Sequence, residues 1–542
     1  MAEWFPKRTI GGLPREAAAR FGGREALMFK GQRWSFAQFE ADVQCAARAL
    51  LRLGVQPGDK VSLWMPNRPE WLHLMFAICR VGAVLVPVNT RLRANEVAYI
   101  VKQSNSTTFI TTDVSGPADY RPILRGLLPD LASARAPLSA FTDLPDLKRV
   151  IAVTDAPMAG AHHWATAVAE AGSLSDADVE RRAAAVDPDA TTMILYTSGT
   201  TGFPKGVMHG HAMVRNMTDH GTRAGITEAD AILMYLPLFH IFGFTEGPLT
   251  SMLTGARQVL TDTFNPDECL DLVGREKITL VHGFDTHFKD LLEALERKPR
   301  DVSTLRTGLA AAGMASSTPI IRRTNQQLLK TLSCYGMSEI SVGACLTPLD
   351  GTDEQRCEAS GYPAPGYEIA IVDPATGQPC PTGTPGEVVI RGYMVMQGYY
   401  NKPEETAKTI DAQGWLHSGD MGYLRPDGHL CFMGRYKDML KIGGENVDPM
   451  EVEGYLLGHP DIQQVAVVGL PDARLHEVAV AYVIPKSAGK LTPQGLIEYC
   501  KGKIASFKVP RHVVLVEELP MTSSGKIQKA KLRDAAKQQI KA

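Results

Sequence analysis

The sequence predicts a mixed α/β protein: a large N-terminal part of layered α/β units with a small antiparallel barrel or sheet, then a small α+β C-terminal part. Three observations carry this. Short apolar runs alternate with helical spacing through the first 310 residues or so, as strand–helix–strand units require. From about residue 367 the alternation gives way to short strands divided by Gly/Pro turns such as Pro381–Gly386. A third pattern, mixed helix and strand, begins near Gly434, so the chain divides into 1–436 and 437–542.

In chain order, Phe36, Phe39, Val43, Ala46 and Leu50 repeat at helical spacing after Ser35, a capping residue type. Strands are predicted at 60–65, 83–88, 107–112, 191–196, 231–236, 278–283 and 306–312, with a helix at 69–81. Later strands are expected at 368–373, 386–391 and 429–433. The C-terminal part should hold helices at 451–457 and 493–504 and strands at 464–469 and 477–484. The Pro-, Ala- and Asp-rich stretch 113–190 reads as connecting and surface structure.

Composition narrows the function. Over 542 residues the formal net charge is −2, so no electrostatic case exists for nucleic acid or an anionic membrane. Nine scattered cysteines form no C-x-x-C pair, which suits reduced thiols in a cytoplasmic protein. The N-terminus lacks a signal-peptide pattern, the most apolar stretch (72–88) is broken by His73 and Arg80, and the C-terminus is not a Ser-Lys-Leu address.

The most informative segment is 196–206, where Thr197, Ser198, Gly199, Thr200, Thr201 and Gly202 lead through Pro204 to Lys205. A buried strand running into this loop is a device for gripping polyphosphate: glycines admit oxygen to backbone N–H groups, hydroxyls donate and lysine supplies charge. Pro204 stands where the common nucleotide loop would need its second glycine, so this phosphate loop is of another kind. His240 follows an apolar strand and reads equally as a core histidine or a pocket wall. Cys334–Glu339 packs an aromatic, a glycine turn and a carboxylate together. Trp415–Tyr423 sets Asp420 on a tight glycine-flanked turn suited to a sugar diol. Gly434–Val447 and Ser523–Ile527 complete the set.

In this order and spacing the motifs resemble the adenylate-forming superfamily of acyl-CoA synthetases, and the resemblance runs over nearly the whole chain. It implies two half-reactions: carboxylate attacks the α-phosphate of ATP to give acyl-adenylate and pyrophosphate, then the thiol of coenzyme A displaces AMP. Such chemistry needs charge neutralisation and in-line positioning. By resemblance Thr197 to Lys205 close over the β- and γ-phosphates. Glu339 holds Mg²⁺ with Thr200 or Thr201. Tyr335 lies against the adenine, with Ala312 and Gly313 on its other side, and Gly336 and Ser338 are further cofactor-binding candidates. Asp420 takes the ribose hydroxyls beside Arg435, and Lys526 bridges the carboxylate and the α-phosphate. Lys437 is the hinge of a mobile C-terminal domain that brings Gly443 and Gly444 to the substrate tunnel, and Lys441 and Lys508 meet coenzyme A phosphates. Catalytic candidates are thus Lys526, Glu339, His240 and Lys205. Pocket candidates are Phe242, Gly243, Phe284, Ala311, Met337 and Ser341, where Gly243 leaves room.

Some positions depart from the family pattern. Ser338 replaces the commoner threonine, 310–314 lacks the usual proline, His476 precedes Glu477, and 281–287 is unusually polar for a segment that lines the acyl pocket. The expected substrate is a medium-chain, cyclic or aromatic acid, with a long-chain fatty acid as the alternative. An amino-acid-activating domain serving a carrier protein is the rival class, followed by a luciferase-like oxygenase and a degenerate nucleotide-binding scaffold. The expected assembly is a monomer or homodimer.

Overall fold

The computed structural model describes residues 5–115, 118–197, 203–311, 317–435, 440–447, 449–487, 489, 491–520, 527 and 529–540. These divide into two compact units. The larger comprises the described residues of Met1–Thr90, Ala98–Tyr196 and Gly206–Gly434; the smaller comprises those of Arg91–Val97, Thr197–Lys205 and Arg435–Ala542. The short segment Arg91–Val97 thus groups with the C-terminal part, which sequence spacing did not foretell.

Two broad sheets organise the larger unit. One has ten strands. Along its central path run Lys330–Met337, Thr307–Ala311, Leu280–Val281, Ala231–Met234, Arg257–Leu260 and Glu25–Phe29, all parallel, with antiparallel strands at both edges. The other has eight strands, in which Val84–Pro87, Lys60–Trp64, Ser106–Thr111 and Arg149–Ala152 lie parallel. Strands buried on both faces read as continuous apolar runs, which is why Val61, Leu63, Trp64, Leu85 and Val86 are fully buried.

Local chemistry fixes the elements. The helix Phe36–Arg52 starts on a capping box, with Ser35 Oγ accepting from Gln38 N at 3.1 Å and Gln38 Oε1 accepting from Ser35 N at 2.9 Å. Its apolar face, Phe36, Phe39, Val43, Ala46 and Leu50, is buried as its spacing predicts. The helix Pro69–Arg80 opens on proline at its first position and buries nearly every side chain.

The region 113–190 is more ordered than expected. Arg149–Ala152 is an inner strand of the eight-stranded sheet, and Arg121–Leu127, Trp164–Glu170 and Asp176–Ala184 are helices. Val150, Ile151 and Ala152 are fully buried there, whereas the flanking polar residues conceal the run in the sequence.

The antiparallel region forms a four-stranded sheet in the order Tyr367–Val372, Gly386–Gly392, Leu416–Leu424, Leu430–Arg435. In the smaller unit the long hairpin Ile462–Asp472/His476–Pro485 carries Leu440–Ile442, Glu445–Val447 and the parallel strand His512–Leu515. Helix Pro449–Leu457 packs with this sheet around Val452, Leu456, Val465, Val467 and Ala481. None of the described helices is long and apolar enough to cross a membrane.

Candidate active site

The candidate residues of the larger unit gather at the carboxyl end of the ten-stranded sheet, where open α/β sheets place ligands. Tyr335, Gly336 and Met337 end the strand Lys330–Met337, and the chain turns back through Ser338 and Glu339 into Ser341–Leu346, with Met337 opposite Ser341. The turn is tight enough to demand glycine at 336, where a Cβ would stand 2.5 Å from the Ser341 carbonyl oxygen. Ser341 adopts φ +63°, unusual for a residue with a side chain, and is fully buried.

Tyr335 donates its hydroxyl hydrogen to Asp420 Oδ2 at 2.8 Å, and its ring lies 6.0 Å from that of Phe432. Burial raises the phenol pKa well above its ordinary value, and the charge and hydrogen bond of Asp420 raise it further, so Tyr335 is a neutral donor to a carboxylate. Asp420 does not sit on a tight turn as expected. It lies within the nine-residue strand Leu416–Leu424, at an irregularity in the pairing with Gly386–Gly392, where Gly419 takes φ +68°. Glu387 holds this irregularity: Oε1 accepts from Gly419 N at 2.9 Å and Oε2 pairs with His417 Nδ1 at 2.9 Å. Ser418 Oγ accepts from Asp420 N at 3.0 Å.

Glu339 is buried at the same hairpin and accepts from the Tyr399 hydroxyl at 3.0 Å. Burial, then the Glu339 charge, push the Tyr399 phenol up, so it also donates as a neutral group. The loop backbone is pinned on two sides. Met396 N donates to the Glu339 carbonyl at 2.8 Å, and His209 Nε2 to the Ser338 carbonyl at 2.5 Å. Burial lowers the His209 pKa to about 4, so the neutral ring must carry its hydrogen on Nε2.

The acyl-pocket candidates meet across the parallel strands. Phe284 pairs in register with Ala311, and Ala311 with Cys334. The Phe242 ring packs edge-on against Phe284 at 5.5 Å. Phe284 and Met337 are half-buried, whereas Phe242 is buried. His240 caps the short helix Ile241–Phe244, half-buried, its ring 4.8 Å from Phe239. Gly243 requires correction. A Cβ there would lie 2.2 Å from the Pro237 carbonyl oxygen, so its missing side chain makes way for backbone and leaves no room for a ligand.

Thr197 ends the strand Thr191–Thr197 and buried Lys205 begins Lys205–Gly210, its hydrogen-bonded neighbour in the eight-stranded sheet. The tip between them, Ser198, Gly199, Thr200, Thr201 and Gly202, lies outside the described residues, as do Ala312, Gly313, Lys437 and Lys526. Arg435 is the last residue of Leu430–Arg435.

In the smaller unit Gly443 and Gly444 form the two-residue turn between Leu440–Ile442 and Glu445–Val447, with φ of +59° and +83°. Two consecutive left-handed residues give a hairpin turn that matches strand twist, for which Gly-Gly is suited. Lys441 precedes it, its backbone N donating to Glu477 Oε2 at 2.8 Å. Lys508, a candidate to meet a coenzyme A phosphate, is engaged otherwise in this structure. Its ammonium is buried between Glu451 at 2.6 Å and Glu96 at 2.7 Å. Burial pushes its pKa down, but the two carboxylates outweigh that and raise it.

Sequence reasoning missed Glu387, Tyr399, Phe432 and His209, because only strand register brings them beside the motifs. Among the described residues no three or more His, Cys, Asp or Glu side chains form a metal cluster. A magnesium ion needs none: it keeps waters, takes phosphate oxygens and requires only one or two protein carboxylates. Glu339 fits that requirement.

The family model for AMP-binding enzymes matches residues 14–400, and that for the AMP-binding enzyme C-terminal domain matches 451–526. The chain belongs to the AMP-binding enzymes. Its class is that of the AMP-forming acid–CoA ligases. This AMP-binding enzyme is 35% identical over 546 residues to the mitochondrial medium-chain acyl-CoA ligase ACSF2 of Mus musculus, covering 98% of this chain and 88% of that one. It is 36% identical over 538 residues to the 3-[(3aS,4S,7aS)-7a-methyl-1,5-dioxo-octahydro-1H-inden-4-yl]propanoyl:CoA ligase of Rhodococcus jostii (strain RHA1), covering 98% and 99%. Among solved structures it is similar to a double mutant of o-succinylbenzoate CoA synthetase (MenE) from Bacillus subtilis bound with a product analogue. The TM-score is 0.78 at 26% identity, covering 96% of this chain and 98% of that chain.

Proposed function

We propose that this AMP-binding enzyme activates a medium-chain, cyclic or aromatic carboxylic acid with ATP and transfers the acyl group to coenzyme A. The observation that carries the reading is the buried Tyr335–Asp420 pair beside the Gly336 turn and Glu339. It offers a flat aromatic face for a base, a carboxylate for a diol and a second carboxylate for a phosphate-bound cation. When bound, Mg²⁺ neutralises phosphate charge. Glu339 would hold it, with Thr200 from the phosphate loop.

The chain's own residues then divide the work. Lys205 and the loop hydroxyls grip the departing pyrophosphate. Lys526 offsets the repulsion between the substrate carboxylate and the α-phosphate. The described neighbours Tyr335 and Phe432 exclude water around the base site. For the second half-reaction the C-terminal domain turns about Lys437, withdrawing Lys526 and presenting the Gly443–Gly444 turn to the pantetheine arm. The acyl preference is supported by the aromatic pair Phe242–Phe284. It is also supported by the names of relatives, one a medium-chain ligase and one acting on a bicyclic propanoyl group.

Pyrophosphate release with a panel of acids, with and without coenzyme A, tests the reading. Acid-dependent release and CoA-dependent thioester are expected. Release with amino acids alone would favour the carrier-protein class, and a steady rise of kcat/KM to C16 would overturn the chain-length preference. Lys526→Ala should abolish adenylation yet still convert supplied acyl-adenylate to thioester; equal loss of both steps would remove the assigned role.

A further inference from the structure

Three titratable side chains packed together in the larger unit have no part in the reading above. His220 comes from the helix Met213–Arg223, Glu246 from the π-helical turn Thr245–Leu249, and His282 from between Leu280–Val281 and Gly283–Phe284. They are 0, 0 and 1% exposed. A π turn is rare and is frequent at functional sites.

His220 Nε2 approaches Glu246 Oε2 to 3.2 Å, but off the line a hydrogen bond needs. Neither ring nitrogen of His220 and neither oxygen of Glu246 has a hydrogen-bond partner among the described residues. His282 Nδ1 accepts from Leu309 N at 3.1 Å, which puts the hydrogen of the neutral ring on Nε2, and this N–H is also without a partner. Burial lowers the His282 pKa to about 4, against the opposing pull of Glu246, so the ring is neutral at pH 7. Buried polar atoms left without partners cost stability, and a well-packed core has no use for them.

The cluster adjoins the acyl-pocket candidates. The Phe242 ring packs edge-on against both, 6.4 Å from the His282 ring and 5.5 Å from the ring of half-buried Phe284. Gly343 makes way for His220, since a Cβ there would lie 2.7 Å from Nδ1.

We propose that His220, Glu246 and His282 form a polar end wall of the acyl pocket, selecting acids that carry a ketone or hydroxyl oxygen remote from the carboxylate. The His282 Nε2–H donates to that oxygen, and Glu246 accepts where the group is a hydroxyl. This rests on the acid–CoA ligase reading. An all-hydrocarbon acid would leave the donor dry, and sites built to hydrogen-bond a substrate oxygen reject analogues that lack it.

The test uses the full chain with matched acids: cyclohexanepropionic acid against its 4-oxo and 4-hydroxy forms, and octanoic against 7-oxooctanoic acid. The oxygen-bearing member of each pair should show kcat/KM at least about tenfold higher. His282→Asn keeps an acceptor for Leu309 N but loses the Nε2–H, and should bring the ratio to within about twofold of one. Equal kcat/KM within the pairs for the wild-type enzyme, which needs no variant to fold, would overturn the inference alone. So would a ratio that His282→Asn leaves in place. No turnover with any acid would overturn the ligase reading and the inference with it.

Discussion

Asp420 owes its position to Glu387 on the neighbouring strand. Glu387 spends one oxygen on the Gly419 N–H and the other on His417, and so holds the irregularity from which Asp420 faces Tyr335. Removing the carboxylate in Glu387→Ala takes away the partner of the part-buried Gly419 N–H, a loss of about 1 kcal/mol. We expect KM for ATP to rise about tenfold with a smaller change in kcat, because on the proposed reading Glu387 positions the ribose-binding Asp420 and touches no reacting atom. An unchanged KM in steady-state assays would remove Glu387 from the site. Lys508 teaches the reverse lesson: a lysine that resemblance made a candidate for a phosphate neutralises two buried carboxylates.

Two turns at the scale of elements carry proposed roles, and both depend on glycine. Gly336→Ala would drive a methyl group toward the Ser341 carbonyl, 2.5 Å away, and backbone cannot swing aside as a side chain can. The hairpin carrying Ser338 and Glu339 should shift, lowering the adenylation rate by at least about tenfold, as a displacement near 1 Å does. Pyrophosphate release would measure it, and wild-type rates would show the hairpin to be tolerant. Gly444 meets nothing within 4 Å, so Gly444→Ala isolates the backbone term. With φ +83° it should cost about 1 kcal/mol of stability in the smaller unit, read by denaturant unfolding. Legibility at this scale followed periodicity. The capped helix Phe36–Arg52 and the strand Thr191–Thr197 were plain from spacing and flanks. Arg149–Ala152 was hidden, since four residues offer too little pattern against a polar surround. Asp420 was read as a turn because Ser-Gly-Asp-Met-Gly carries turn residues, yet the pairing with Gly386–Gly392 draws it into a strand.

Across the whole molecule, buried histidines set a pH limit. His209, His211 and His282 each have a pKa lowered by burial from the ordinary 6.5 to about 4. The unfolded chain therefore binds more protons than the folded one between these values. Stability from these groups is fully present above pH 6.5 and is lost as pH falls toward about 4, at up to about 1.4 kcal/mol per pH unit for each group. Thermal melts should show Tm falling from pH 6.5 to 5 while these groups leave it unchanged between 7 and 8. A flat Tm across pH 5 to 7 would contradict the burial of all three.

The order and spacing of the phosphate-loop, Tyr335–Glu339, Ser418–Asp420 and Gly434–Asp438 segments were enough to reach the family and reaction class, because catalysis by charge and positioning uses few residue types at fixed chain separations. The layered α/β architecture followed from apolar periodicity alone. Tertiary structure decided which residues support the motifs and which side chains pack beside the acyl-pocket candidates. Glu387 reaches Gly419, Gly243 yields to Pro237, His220 meets Glu246 and Leu309 meets His282 only through strand register and helix packing. Contacts between residues far apart in the chain leave no local pattern, since each partner taken singly is an ordinary polar or small residue.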